Sequence, residues 1–469
     1  MLNFLPSIAS CLDNEHIPWK NILIGFSVAQ FVFDSYVSYR QYRVLKDKTK
    51  KIPPILKGKI DEEKFAKSDE YGIAKSKFGF VDNLFSLILN IVVLKYDLQP
   101  YIWNLSGKIG TKLISYFRPA ISVSGLGIVT QSVFYFNLST FAFSLLNLPF
   151  DYYSHFVLEE AFGFNKLTTK LWVTDLVKSN VLQVVLMSPI LYAVGKIFDK
   201  FTDNFIYYIM GFIAILQVLM ILLVPTVILP LFNKFTPLED GELKTKIEDL
   251  ARKLKFPLDK IFVVDGSKRS SHSNAYFTGL PFFKQRIVIF DTLIEQSSVD
   301  EVVAVLGHEI GHWKKNHIIQ LLLVGQFHIS VIFTLFSAVY QNKSLYKSFG
   351  FNIESATGQK SVGKKVFLNN KFPYLIGFSI FGELLKPMDC LVQFIMNLFI
   401  RHNEYEADAF ATKLGYGKEL SQALITLQVA NLSSMHVDPL YSSYHYNHPT
   451  LIERLDAIEA EIVKLEKKN

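Results

Sequence analysis

Gly307-His308-Glu309-Ile310-Gly311-His312-Trp313 is an HExxH pattern set in a helical frame. Positions four apart share a helix face, so His308 and His312 can present two imidazoles to one metal ion. Zinc takes imidazole nitrogen readily, and a catalytic zinc keeps one coordination position open for water. Glu309 sits beside the first histidine, where its carboxylate can accept that water's proton. The helix is signalled upstream as well. Ser298 with Glu301 makes a capping box, and Val302, Val303, Leu306 and Ile310 follow at helical spacing.

Composition puts this motif in a membrane protein. The 469 residues are 50% hydrophobic, 14% aromatic and only 19% charged, with a mean hydropathy of +0.24, too apolar for a soluble chain of this size. Cys11 and Cys390 are the only cysteines, which excludes a disulfide framework and a Cys-rich metal site. A net charge of +7 suits basic loops beside membrane spans better than a nucleic-acid surface. No basic stretch precedes the apolar residues at the start, so the first span is expected to be an uncleaved anchor.

Seven stretches are long and apolar enough to cross a bilayer: 20–39, 80–98, 121–150, 176–198, 205–232, 317–340 and 372–400. Asp34, Asn90, Gln131, Asn137, Asn147, Gln183, Gln217, Gln326, His328, Glu383 and Asp389 fall within them. Polar groups facing lipid are costly, so these side chains should turn inward, to bond a neighbouring helix or to line water; so many together favour a hydrated interior. Lys46, Lys48, Lys50, Lys51, Lys57 and Lys59 crowd the segment 43–77, which marks the cytoplasmic side. Chain parity then sets the N-terminus outside, and the segment 233–316 and the C-terminal tail inside. Lys343, Lys347, Lys360, Lys364 and Lys365 in an outer loop run against that orientation.

The chain divides into four parts: 1–232 with five spans, 233–316 with the HExxH helix, 317–400 with two spans, and 401–469, a helical tail. Segment 233–316 has the pattern of a soluble α+β unit. Leu243, Ile247, Leu250 and Leu254 mark an amphipathic helix ending before Pro257, and 261–264, 274–277 and 286–290 are strand-like. Parity also returns the chain to the side of His312 after residue 400. There Glu404 and Asp408 share a helix face. Glu404 can close a His2Glu set with water in the fourth position, and Asp408 can accept a hydrogen bond from a ligand histidine and fix its tautomer. Glu406 points elsewhere on that helix, and His402 is a competing ligand.

This constellation resembles the gluzincin membrane peptidases, specifically the type I CAAX prenyl endopeptidases. The resemblance extends to Glu160-Ala161-Phe162-Gly163-Phe164-Asn165-Lys166, Ser271-His272-Ser273-Asn274-Ala275-Tyr276-Phe277-Thr278-Gly279 and Ser443-Tyr444-His445-Tyr446-Asn447-His448-Pro449. It implies a mainly α membrane protein in which seven transmembrane helices enclose a hydrated chamber, closed on the cytosolic side by a gluzincin-like α+β zinc-protease domain. It also implies an endopeptidase with one Zn2+ per chain that removes the last three residues of farnesylated or geranylgeranylated CAAX proteins. Fungal members also trim a mating-pheromone precursor near its N-terminus. Residence in the endoplasmic reticulum membrane and inner nuclear membrane follows from the same resemblance, with the bilayer as partner and no nucleic acid. His448 becomes the candidate donor to a developing oxyanion, with Arg454 orienting or assisting it. Asn274 and Ala275 would offer a strand edge to an extended peptide, and His272 is either part of the site or a polar loop residue.

Other classes remain open at this level. A prenyl-independent quality-control protease could use the same zinc unit. A transporter could use polar spans and a structural metal, although structural sites are normally closed by four protein ligands. An intramembrane site-2-type protease fits poorly, because Lys314, Lys315 and Asn316 set the motif at the membrane boundary.

Overall fold

The computed structural model describes residues 5–117, 125–201, 204–279, 283–353, 366–368 and 371–467. Residues 121–124 of the third apolar stretch, and Lys360, Lys364 and Lys365, lie outside the described residues. The described residues of the first half are mainly helical: α1 (Leu5–Leu12), α2 (Trp19–Lys46), α3 (Glu62–Lys95), α4 (Leu98–Phe117), α5 (Ile128–Tyr153), α6 (Thr169–Lys200), α7 (Phe205–Leu223) and α8 (Leu229–Phe232). The chain stays helical past α5 as the π-helical turn Ser154–Glu159, and between α7 and α8 as Val224–Ile228. Asp61 and Thr168 cap α3 and α6 by accepting from Lys64 N and Leu171 N, which fixes where each helix begins.

Among the described residues six helical segments are long and apolar enough to cross a membrane: Trp19–Lys46, Glu62–Lys95, Ile128–Glu159, Thr169–Lys200, Phe205–Phe232 and His317–Ser337. Val177, Val181, Val185, Ile215 and Leu219 are exposed apolar side chains on these helices, as expected where a helix meets lipid. The seventh apolar stretch belongs to a 38-residue helix, Tyr374–Ala411, that falls outside this set. Glu383, Lys386 and Asp389 interrupt its apolar run. The first two are turned inward: Glu383 accepts from Ser27 at 3.0 Å and Asn90 at 2.9 Å and pairs with Lys386 at 2.6 Å, tying this helix to α2 and α3. Other mid-span amides bond across helices, Gln131 to Trp103 O, Asn137 to Ser188, Gln183 to Asn137 and Gln326 to Met210 O. Asn147 instead lines a polar cavity.

The second half places a small sheet beside the bundle. Strands β1 (Phe235–Pro237), β2 (Leu258–Val264), β3 (Ala275–Thr278) and β4 (Gln285–Phe290) lie in the order β1-β2-β4-β3. β2 and β4 are parallel, while β1 and β3 are antiparallel edges. Around it run α9 (Glu242–Leu254), α10 (Asp291–Gln296), α11 (Val299–Lys314), α12 (His317–Ser337), α13 (Lys343–Ser348), α14 (Tyr374–Ala411), α15 (Gly417–Ala430), α16 (Pro439–His445) and α17 (Leu451–Glu466). The Ser298–Glu301 capping box forms at the start of α11. Ile247, Leu250, Ile287, Ile289, Val303 and Leu306 make the buried core between sheet and helices.

Contacts at the two ends agree with the parity of the chain. Lys347 pairs with Glu15 at 2.6 Å and Ser344 N donates to Asp13, so the N-terminus and α13 share one end. At the other end Arg40 pairs with Asp438, and Leu56 and Ile60 pack on Ile425, Met435 and Leu455. The basic segment therefore lies against the C-terminal helices.

One close approach sets the geometry of the second half. A Cβ on Gly311 would stand 3.2 Å from Ala407 Cα and from the Phe410 ring, and 3.3 Å from Ala407 O. Backbone cannot yield as a flexible side chain can, so α11 and α14 cross there because residue 311 has no side chain. Gly311→Val should cost about 1–3 kcal/mol by overpacking, read as a lower melting temperature; an unchanged melting temperature would show that the crossing tolerates separation.

Candidate metal centre

α11 and α14 bring together side chains nearly a hundred residues apart in sequence. His308 and Glu404 are buried and His312 is half-buried, and one donor atom from each lies within 4.8 Å of the others. His308 Nε2 is 3.1 Å from His312 Nε2, His312 Nε2 is 3.2 Å from Glu404 Oε1, and His308 Nε2 is 3.5 Å from Glu404 Oε2. Donors about 2.0–2.1 Å from a tetrahedral zinc stand roughly 3.3 Å apart. Two nitrogens and a carboxylate at this spacing fit such an ion.

Electrostatics point the same way. Burial opposes a charged His308, but the Asp408 carboxylate outweighs it and lifts the imidazole pKa to about 9. Burial also works against ionised Glu404, yet the facing imidazoles hold its carboxyl far below the usual range. Both shifts mean that positive charge is favoured between these groups. Glu309, next to His308 in sequence, is pushed up by burial to about 7, so it can take and return a proton near neutrality.

Each histidine is backed by a different partner. His308 Nδ1 lies 2.8 Å from Asp408 Oδ1, and Arg454 holds the same carboxylate through Nε at 2.8 Å and Nη2 at 2.6 Å. An Nδ1–H donated to Asp408 leaves the Nε2 lone pair facing the cluster. His312 Nδ1 is 2.8 Å from His317 Nδ1, whose Nε2 lies 3.1 Å from Glu406 Oε2. Sequence reasoning missed His317. It is five residues beyond His312, off the helical spacing, and turns back only because Asn316 adopts a left-handed conformation at φ 58°. Glu406 stands outside the ligand group but reaches this second histidine. His402 is exposed and outside that group.

The remaining candidates surround the cluster. His448 is its exposed member, with 58% of its side chain accessible and Nδ1 2.7 Å from Glu404 Oε2. Arg454 is half-buried and ion-paired, with Nη1 3.7 Å from Glu404. Ala275 opens β3 and Asn274 precedes it, and among the described residues the outer edge of β3 has no partner strand. Ala275 is paired with Ile289, and Asn274 O accepts from Phe290 N at 3.0 Å. His272 stacks on Phe164 with ring centroids 4.2 Å apart and meets Asn431 at 3.0 Å and Glu159 at 3.6 Å. The segments 160–166 and 271–279 are thus joined, with Ser271 N donating to Phe164 O.

Asp408→Asn should lower metal affinity by about 10–100-fold, as expected for a residue that orients a ligand histidine. Competition with a chromophoric chelator measures this; unchanged affinity would remove Asp408 from that role.

The chain matches two family models, "CAAX prenyl protease N-terminal, five membrane helices" over residues 41–234 and "Peptidase family M48" over residues 237–462. It is 52% identical to CAAX prenyl protease 1 of Saccharomyces cerevisiae, covering 98% of this chain and 99% of that one. It is 35% identical to the CAAX prenyl protease 1 homolog of Homo sapiens, covering 92% and 94%. The crystal structure of S. mikatae Ste24p superposes with a TM-score of 0.88 at 51% identity, covering 94% of this chain and 99% of that chain. On the multi-pass helical fold, the converging donor set and these matches, the chain belongs to the CAAX prenyl protease 1 family and is an M48 metalloprotease.

Proposed function

We propose that the enzyme binds one Zn2+ and removes the C-terminal three residues from prenylated CAAX proteins at the endoplasmic reticulum membrane, with its catalytic side cytosolic. The observation that carries this is the convergence of His308, His312 and Glu404 within 4.8 Å, with Glu309 beside them, in a chain of this family. The four-part division at residues 232, 316 and 400 belongs to the same proposal, as does trimming of a mating-pheromone precursor by fungal members.

Zinc held by His308, His312 and Glu404 would acidify a water and polarise a carbonyl. Glu309 takes that water's proton and returns it to the leaving amine, a task suited to a carboxyl near pKa 7. His448, the exposed member of the cluster, donates to the developing oxyanion. Arg454 and Asp408 keep the His308 ring oriented through their paired hydrogen bonds. Asn274 and Ala275 present the edge of β3, along which the substrate backbone pairs in extended form.

Glu309→Ala should retain the metal and lose turnover by at least about 10²-fold, the lower range of general-base contributions; full turnover would remove the base assignment. Glu404→Ala should bind zinc more weakly, and affinity equal to the parent would show a different third ligand. A farnesylated CAAX peptide compared with its unmodified twin, with and without a chelator, separates this function from prenyl-independent quality control. Equal cleavage of both peptides would favour the latter.

A further inference from the structure

We propose that the polar cavity between α3 and the segment 431–446 binds the peptide leaving from the substrate's C-terminal side, with Lys75 receiving its α-carboxylate. This rests on the CAAX assignment above and adds the group that recognises the free C-terminus.

Charge pairing around two adjoining cavities singles out Lys75. The first, about 660 Å³, borders α5 and α6. In its lining Arg269 is held by Asp175 at 2.9 Å, His155 faces Asp151 at 3.6 Å, and His272 faces Glu159 at 3.6 Å. Lys75 lines the same cavity without a carboxylate partner among the described residues; its ammonium lies 4.9 Å over the Tyr71 ring. Glu159 feels that charge but is already bound by Tyr71 Oη at 2.6 Å.

The second cavity, about 550 Å³, shares Lys75, Tyr71 and His272 with the first and has no carboxylate in its lining. Ser35, Ser38, Ser76 and Ser434 supply hydroxyls instead. An ammonium with no direct carboxylate partner, facing serine hydroxyls in a cavity whose lining holds no acid, favours an anionic guest held by a charge-assisted hydrogen bond. The volume is that of a small-ligand site, for which about 300–1,000 Å³ is usual.

Position identifies the anion. The cavity wall includes His272, two residues before Asn274, and Tyr446, two residues before His448, so it adjoins two elements of the candidate site. A peptide paired antiparallel to β3 runs from Ala275 towards His272, three residues away. Three extended residues advance roughly 10 Å. A substrate cut three residues from its end therefore brings its α-carboxylate to this cavity.

The test compares a farnesylated peptide carrying a free C-terminal carboxylate with its C-terminal carboxamide twin, on the full-length enzyme. The parent should favour the acid by about tenfold or more in kcat/KM, mainly through KM. In Lys75→Met the acid-to-amide ratio should fall towards one, and in Lys75→Arg the preference should return. Because each ratio is taken on a single preparation, it does not depend on the fraction folded. Equal cleavage of acid and amide by the parent, or a preference retained in Lys75→Met, overturns the carboxylate site and leaves the CAAX assignment standing. Cleavage of neither peptide overturns both.

Discussion

The structure depends on the contact of α11 with α14 at Gly311 and Ala407. One helix carries His308, Glu309 and His312; the other carries Glu404 and Asp408. A Cβ at residue 311 would stand 3.2 Å from Ala407 Cα, so the missing side chain is what lets the two helices pack this closely at their crossing. The donor atoms then converge without a loop having to fold over them. Interiors are close-packed and deform little, so a crossing of this kind keeps the side chains of the two helices in register.

α14 also links the site to the membrane. Its 38 residues span about 57 Å at 1.5 Å per residue, longer than a bilayer's hydrocarbon thickness of about 30 Å. One end enters the bundle, where Glu383 and Lys386 are satisfied by Ser27 and Asn90; the other holds Glu404. Four polar groups from three helices thus fix the depth and rotation of α14 inside an apolar bundle. Depth and rotation within the bundle determine where Glu404 emerges.

Much of this was legible in the sequence because it rests on local periodicity. The capping box, the end of α9 before Pro257, and the strand runs at 261–264, 274–277 and 286–290 all appear, with strand ends displaced by one to three residues. The convergence of Glu404 with the two histidines was legible for a different reason: parity alone returns residue 404 to the side of residue 312. What escaped depends on tertiary context. α4 breaks its apolar pattern with Asn104, Lys108 and Lys112, and packs instead through small residues, Gly110 lying against Leu126 and Phe134. The seventh span carries charges that count against it in any apolar window, though two of them are neutralised inside the bundle. His317 depends on a single left-handed residue that no periodicity reports.

The two histidines of the cluster are unlike each other in what supports them, and the difference follows from the chain path. His308 lies on the packed face of α11, so its backing is charged and little exposed: Asp408 is buried and Arg454 half-buried beside it. Low dielectric strengthens that pairing and resists any rotation of the ring. His312 sits near the end of α11, where the chain turns at Asn316 into a membrane helix. Its backing is His317, itself held by Glu406, whose side chain is 36% accessible. A carboxylate open to water orients an imidazole less firmly than a buried one. The cluster is therefore backed by a buried charged pair on the side of the sheet and by a partly open one on the side where the chain turns into a membrane helix.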